Sequence, residues 1–364
     1  MHSLNSRFSA ICVWLTLQIA LGLDAAAQSP PPLLEVQVPT GRFTGLPIHW
    51  GARSAILLEP AGGFRSLDVG EVREHRILEE PFLPLSLANA RASLQGEFGN
   101  SFETAVTGPY VIVAPRGEAN RWRDRFRTLL AGYSRYFEVR GWQLRQSDFP
   151  LVVIILPDRA TFRSYAIGEV GNRIDSILGY YSPQSNRCVM YKIDGSGGTD
   201  WSETEETIVH EAIHQLAFNT GVHERLAENP VWVVEGFATM FERSSVYDGP
   251  STNSSLSKRV NRNHISRLRS LLADAKSFEQ QLATVIVSDE MFKSNAVDAY
   301  AIAWGLVFYL AERAPREFGA FTQQLAQLPP MQPYQAEQRA RDFQQGFAFE
   351  LPILVTKMQR FYAE

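Results

Sequence analysis

The stretch His210-Glu211-Ala212-Ile213-His214 sets two imidazoles four residues apart, with a carboxylate next to the first. On an α-helix, residues four apart share one face, so both rings can point at one metal ion. Glu211 follows His210 by one position and projects beside such an ion rather than onto it. There it can take a proton from water. Twenty-one residues past His214 lies Glu235, within Trp232-Val233-Val234-Glu235-Gly236. Two neutral imidazoles and one carboxylate leave zinc a fourth position, as hydrolytic sites require. The longer HExxHxxGxxH pattern does not fit. Its glycine and third histidine would fall at Ala217 and Thr220, and His223 comes three residues late.

Two helices must hold these groups. Ser202-Glu203-Thr204-Glu205 reads as a capping box before an apolar stripe of Ile208, Val209, Ala212, Ile213, Leu216 and Ala217. Gly221 sits where a C-terminal cap belongs. Asn229-Pro230 predicts the N-cap and first position of a second helix, which carries Glu235. Antiparallel packing of the two would bring Glu235 opposite the histidines.

Upstream, strand and helix patterns alternate. Tyr110–Val113 is a short apolar strand, and Trp122, Phe126, Leu129, Leu130, Tyr133 and Phe137 follow at helical spacing. Leu151–Leu156 reads as a buried strand and Arg159–Tyr165 as helix, which predicts a parallel or mixed sheet. Arg187–Tyr191 reads as one more strand. It is either the sheet edge beside the cleft, open to an extended peptide, or a covered internal strand. Nearer the N-terminus, short apolar runs between turn residues suggest a β-rich module with a hairpin of Ala55–Leu58 and Phe64–Leu67. The residues after Val246 are rich in Gly, Pro, Ser and Asn and mark a boundary; Asn253-Ser254-Ser255 there matches a glycosylation acceptor. Helices then follow at Arg267–Ala275, Val297–Arg313, Arg316–Leu328 and Gln335–Phe347. The expected organisation is a signal peptide over 1–27, a β-rich module with one helix over 28–105, a metal-binding core over 106–245 and a helical lobe over 246–364. The fold class is α+β.

An apolar content of 45% and a charged content of 20% describe a globular chain, and a net charge of −4 gives no nucleic-acid footprint. Arg7, the apolar run Phe8–Leu23 and Ala25-Ala26-Ala27 form an export signal with cutting expected before Gln28. An uncleaved membrane anchor is the other reading. Export predicts a periplasmic or secreted protein, with no membrane span once the signal is removed. Cys188 would then be the single remaining cysteine, either a small buried hydrophobe or a thiolate on the metal.

At His210–His214 and over Trp232-Val233-Val234-Glu235-Gly236-Phe237-Ala238 the chain resembles the gluzincins, the glutamate-ligated HExxH metallopeptidases. The longer string from His210 to Gly221 is similar to a bacterial branch of exported proteins, a domain of unknown function grouped with the peptidase-MA-like proteins. The likeness touches Tyr110–Pro115 and Asp298-Ala299-Tyr300-Ala301-Ile302-Ala303-Trp304 as well. It implies a zincin-like fold: a mixed sheet over the HExxH helix and a helical C-terminal lobe. It also implies Zn2+ on His210, His214 and Glu235, Glu211 as base, and a peptide or protein substrate. No particular substrate carries over.

Further candidates lie along the chain. Related gluzincins use a tyrosine of the C-terminal lobe on the oxyanion, which offers Tyr300; a core tyrosine is the alternative. His223 and His264 are other donors, or surface and capping histidines. Thr239, one turn past Glu235, could hydrogen-bond a ligand imidazole. Lys258, Arg259, Arg262, Arg267 and Arg269 form a basic run, either a solvated face or a source of one arginine for a substrate carboxylate. The leading expectation is an exported zinc metallopeptidase. The alternatives are a non-catalytic peptide-binding protein, or a structural metal site completed by Cys188 or His223.

Overall fold

Apolar and polar side chains alternate along Leu33–Val38, and Leu34, Val36 and Val38 are the buried set. That period of two makes a strand with one face covered. In the computed structural model, which describes residues 32–192, 202–247, 255–348 and 350–363, it becomes β1 (Pro32–Val38). The expected export segment, the glycine-rich sequence 194–198, the acceptor at Asn253 and the side chains of the expected capping box lie outside the described residues. Contacts divide the chain into two compact units, the first ending at Leu85 and the second beginning at Ser86.

The first unit is one antiparallel sheet. Its strands are β1, β2 (Gly41–Trp50), β3 (Ser54–Leu58), β4 (Phe64–Asp68) and β5 (Glu74–Pro81), in the order β4-β3-β2-β1-β5. The expected hairpin is β3 paired with β4. Ala55, Leu57 and Leu67 pack with the β1 set as its small core.

The second unit carries a mixed sheet. Helix α1 (Leu87–Phe98) precedes β6 (Phe102–Thr107), which pairs antiparallel with β7 (Tyr110–Pro115). Because β6 pairs there, α1 and β6 belong to this unit, and the β-rich module ends before the 105 expected from sequence. Helix α2 (Ala119–Glu138) crosses over to β8 (Leu151–Leu156), parallel to β7. Helix α3 (Arg159–Val170) leads to β9 (Gly179–Ser182) and then β10 (Arg187–Tyr191). The order is β6-β7-β8-β10-β9, so β10 is internal, parallel to β8, and the four-residue β9 is the edge. The edge reading of Arg187–Tyr191 is thus replaced by its covered alternative. β8 is buried along its whole length, as expected for a strand covered on both faces.

Helices fill the rest. They are α4 (Ser202–Asn219), α5 (Val231–Phe241), α6 (Ser244–Tyr247), α7 (Leu256–Arg259), α8 (Arg262–Leu272), α9 (Ala275–Val287) and α10 (Glu290–Ser294). After these come α11 (Ala296–Arg313), α12 (Pro315–Leu325), α13 (Ala336–Phe347) and α14 (Leu351–Ala363). The architecture is α+β: two sheets, a β-rich N-terminal region and a helical C-terminal region. One hydrophobic core runs from Ile112 and Val153 through Ile213 and Phe237 to Trp304 and Phe361. The expected core and C-terminal lobe therefore share a single interior. Among the described residues, no helix is long and apolar enough to cross a membrane.

Three contacts orient the two helices expected to carry the chemistry. Gln215 on α4, fully buried, donates to the carbonyls of Val152 and Asn186 and ties α4 to the sheet. At the end of α4, Gly221 takes φ +82°, and the amides of Val222 and His223 close back on Ala217 O. The start of α5 is capped from a distance: the Val231 amide donates to Asp289, which also accepts from the buried Arg339. Pro230, not Asn229, occupies the N-cap. The Asn229 side chain instead donates to the carbonyls of Glu224 and Ala227 in the loop before it.

Candidate metal centre

One helical turn brings His210 and His214 side by side, their ring centroids 4.6 Å apart and their planes near perpendicular. Their Nε2 atoms are 3.0 Å apart. From α5, Glu235 Oε2 reaches within 3.3 Å of His210 Nε2 and 3.7 Å of His214 Nε2. Three donors each about 2.1 Å from one zinc at tetrahedral angles would be about 3.4 Å apart. The three observed separations bracket that value, so the donor set fits a small divalent ion in both chemistry and spacing. Among the described residues, only these three form such a group. Cys188 is fully buried in β10 and His223 in the core, and neither joins it.

The electrostatics favour a cation there. Burial acts to lower the His210 pKa, but hydrogen bonds to Glu235 and Glu242 overcome it and hold it well above the usual imidazole value. Burial acts to raise the Glu235 pKa, and the two histidines pull it well below the carboxylate range. The carboxylates of Glu235 and Glu242 flanking His210 make the pocket favourable to a cation, and a metal ion competes with the proton for the same nitrogen.

Glu242 was not legible as part of the site. Its Oε1 lies 2.9 Å from His210 Nδ1, the nitrogen facing away from the metal position. Its other oxygen accepts from the buried Asn261, whose own oxygen caps α8. The carboxylate that fixes His210 is therefore Glu242; Thr239, expected in that role, is buried with its hydroxyl unpaired.

Glu211, next to His210, reaches toward the sheet. One oxygen accepts from the Tyr181 amide on β9 at 2.8 Å. Burial pushes its pKa up; the histidines oppose this and Glu235 adds to it, and the net result stays raised. A raised carboxylate is better matched to proton transfer near neutrality.

Tyr300 lines the same cleft as the ligands, together with Glu211, Tyr181 and Phe218, in a volume of about 450 Å³. Burial and the neighbouring Glu235 push its phenol pKa up, so it stays a donor. It reaches the site because α11 crosses α5 at Gly236, where an added Cβ would lie 2.5 Å from Ala303 O. Tyr300 is half-buried, with its ring against Phe292.

The remaining candidates fall elsewhere. His223 is enclosed between Phe218 and Phe237, with neither ring nitrogen paired among the described residues. His264 stacks on Trp304 outside the cleft. Arg259 pairs with Glu312, Arg267 with Asp298, and Arg269 with the Tyr362 carbonyl. That part of the basic run is structural.

A family model described as "Protein of unknown function (DUF1570)" matches residues 205–332. The matched span contains His210, Glu211, His214, Glu235, Glu242 and Tyr300 and leaves out the sheet. No curated protein matches the chain.

Proposed function

We propose that the protein is an exported zinc-dependent peptidase of gluzincin type, acting on peptide or protein substrates. One observation carries this reading: two imidazoles and a carboxylate converge at tetrahedral spacing, with Glu211 beside them in an open cleft. The zincin-like placement of a mixed sheet over the HExxH helix supports it. Zinc, when bound, supplies a Lewis acid that lowers the pKa of water toward about 7 and polarises a carbonyl. The donor set of two histidines and one glutamate suits zinc better than calcium or magnesium, which prefer all-oxygen ligands.

The chain's own groups do the rest. Glu211 removes a proton from the attacking water and returns it to the leaving amide nitrogen. The Tyr300 hydroxyl donates to the carbonyl oxygen as charge develops on it. Glu242 holds the His210 ring and its tautomer. The edge strand β9 runs along the cleft, where an extended substrate can add by main-chain pairing. A non-catalytic peptide binder would use the same strand and leave Glu211 only its hydrogen bond to the Tyr181 amide.

The test is Glu211→Gln. Zinc content should remain at the parent level, while hydrolysis of a peptide library falls by about 10²–10⁴-fold. A variant that cleaves as fast as the parent overturns the mechanism.

A further inference from the structure

Glu169 is a carboxylate in an unexpected place. It lies in the last turn of α3, at the negative end of the helix dipole, where an acidic side chain is unfavourable. Its exposed side chain lines the cleft that also holds His210, His214, Glu235 and Tyr300. Its oxygen accepts from the Tyr180 phenol at 2.7 Å. Tyr180 belongs to the edge strand and is fixed by pairing with β10 and by its ring against Phe162. The carboxylate is thus aimed, and one of its oxygens is free of that bond. Among the described residues no lysine or arginine lines the cleft, and its other carboxylates are Glu211 and Glu235.

We infer that Glu169 determines specificity, selecting peptides that carry a cation where they pass the end of α3. That cation is a lysine or arginine side chain, or a free amino terminus. Either would replace solvent on Glu169 by a charge-assisted hydrogen bond. The inference rests on the peptidase reading for the nature of the ligand, and its test does not require turnover.

The test uses zinc-loaded full-length Glu211→Gln protein. Octapeptides with lysine or norleucine scanned through each position, with free or acetylated amino termini, are titrated by calorimetry. At one position lysine should tighten Kd about tenfold over norleucine, or acetylation should weaken it as much. Adding Glu169→Gln should erase that ratio, and Glu169→Asp should restore part of it. A preference that survives Glu169→Gln, or no charge preference at any position, overturns the inference. The two readings separate cleanly. If parent protein cleaves peptides but Glu169→Gln leaves the lysine-to-norleucine ratio unchanged, only the role of Glu169 falls. If charge-selective binding is lost with Glu169 and no cleavage occurs, the peptidase reading falls and the role of Glu169 stands.

Discussion

Glu242 at the end of α5 and His210 in the middle of α4 meet at 2.9 Å, far from each other in sequence and on the side of the ring away from the metal position. A carboxylate there keeps the proton on Nδ1 and leaves Nε2 free to ligate. Glu242→Ala should raise the zinc dissociation constant by about 10–100-fold. Competition against a chromogenic chelator measures it, and unchanged affinity would remove Glu242 from the site.

The approach of α5 to α11 sets where Tyr300 stands over Glu235. Helix propensity alone favours alanine over glycine at 236 by about 1 kcal/mol. An added Cβ would lie 2.5 Å from the Ala303 carbonyl and 2.7 Å from Val307. Backbone cannot rotate aside, so overpacking of about 1–3 kcal/mol should win. Gly236→Ala is therefore expected to lower the thermal midpoint and weaken zinc binding together. A more stable variant would show that the helices can part freely.

Tyr300→Phe removes a hydroxyl without opening space. Turnover should drop by about 10²–10³-fold, with zinc content unchanged, if the phenol supports the developing oxyanion. A raised KM with unchanged kcat would assign it to substrate binding instead.

His223 gives the fold an acid limit. Burial, with the His214 charge adding, depresses its pKa to about 3, against an ordinary 6.5. Below about 6.5 the unfolded chain binds a proton that the folded chain refuses, so stability falls as pH drops and the loss levels off below about 3. Between pH 7 and 5 the loss from this group should be about 2 kcal/mol. Urea titrations of the parent and His223→Phe should show a flatter acid limb in the variant. Parallel limbs would place the pH dependence elsewhere.

The parts of this site that follow helical periodicity could be read from the chain. His210, Glu211 and His214 share one turn, and Glu235 sits on the next strongly patterned helix, so their meeting needs only two packed helices. Glu242 and Asn261 could not be read, because nothing local links a helix-terminal glutamate to a ring on another helix. Edge and covered strand stayed open for Arg187–Tyr191 because the true edge, Gly179-Tyr180-Tyr181-Ser182, is only four residues long. Such a segment is too short for its alternation to be distinguished from a turn. Likewise Asn229 looks like a cap by type, but the loop takes its side chain and Asp289 supplies the cap from α10's entry. Helices α9 and α14 fall in the stretch that reads as helical throughout, but their bounds are not legible; α9 follows α8 after a break too brief to mark a boundary.

His210, His214 and Glu235 are expected to hold one divalent ion between them. Zinc-edge absorption spectroscopy of the purified protein, with metal quantified on the same sample, reads this without a substrate. One zinc per chain is expected, with nitrogen and oxygen neighbours at about 2.0–2.2 Å, and loss of that signal in His214→Ala. Zinc absent at stoichiometric level, a sulfur neighbour from Cys188, or a spectrum unchanged in His214→Ala would contradict it.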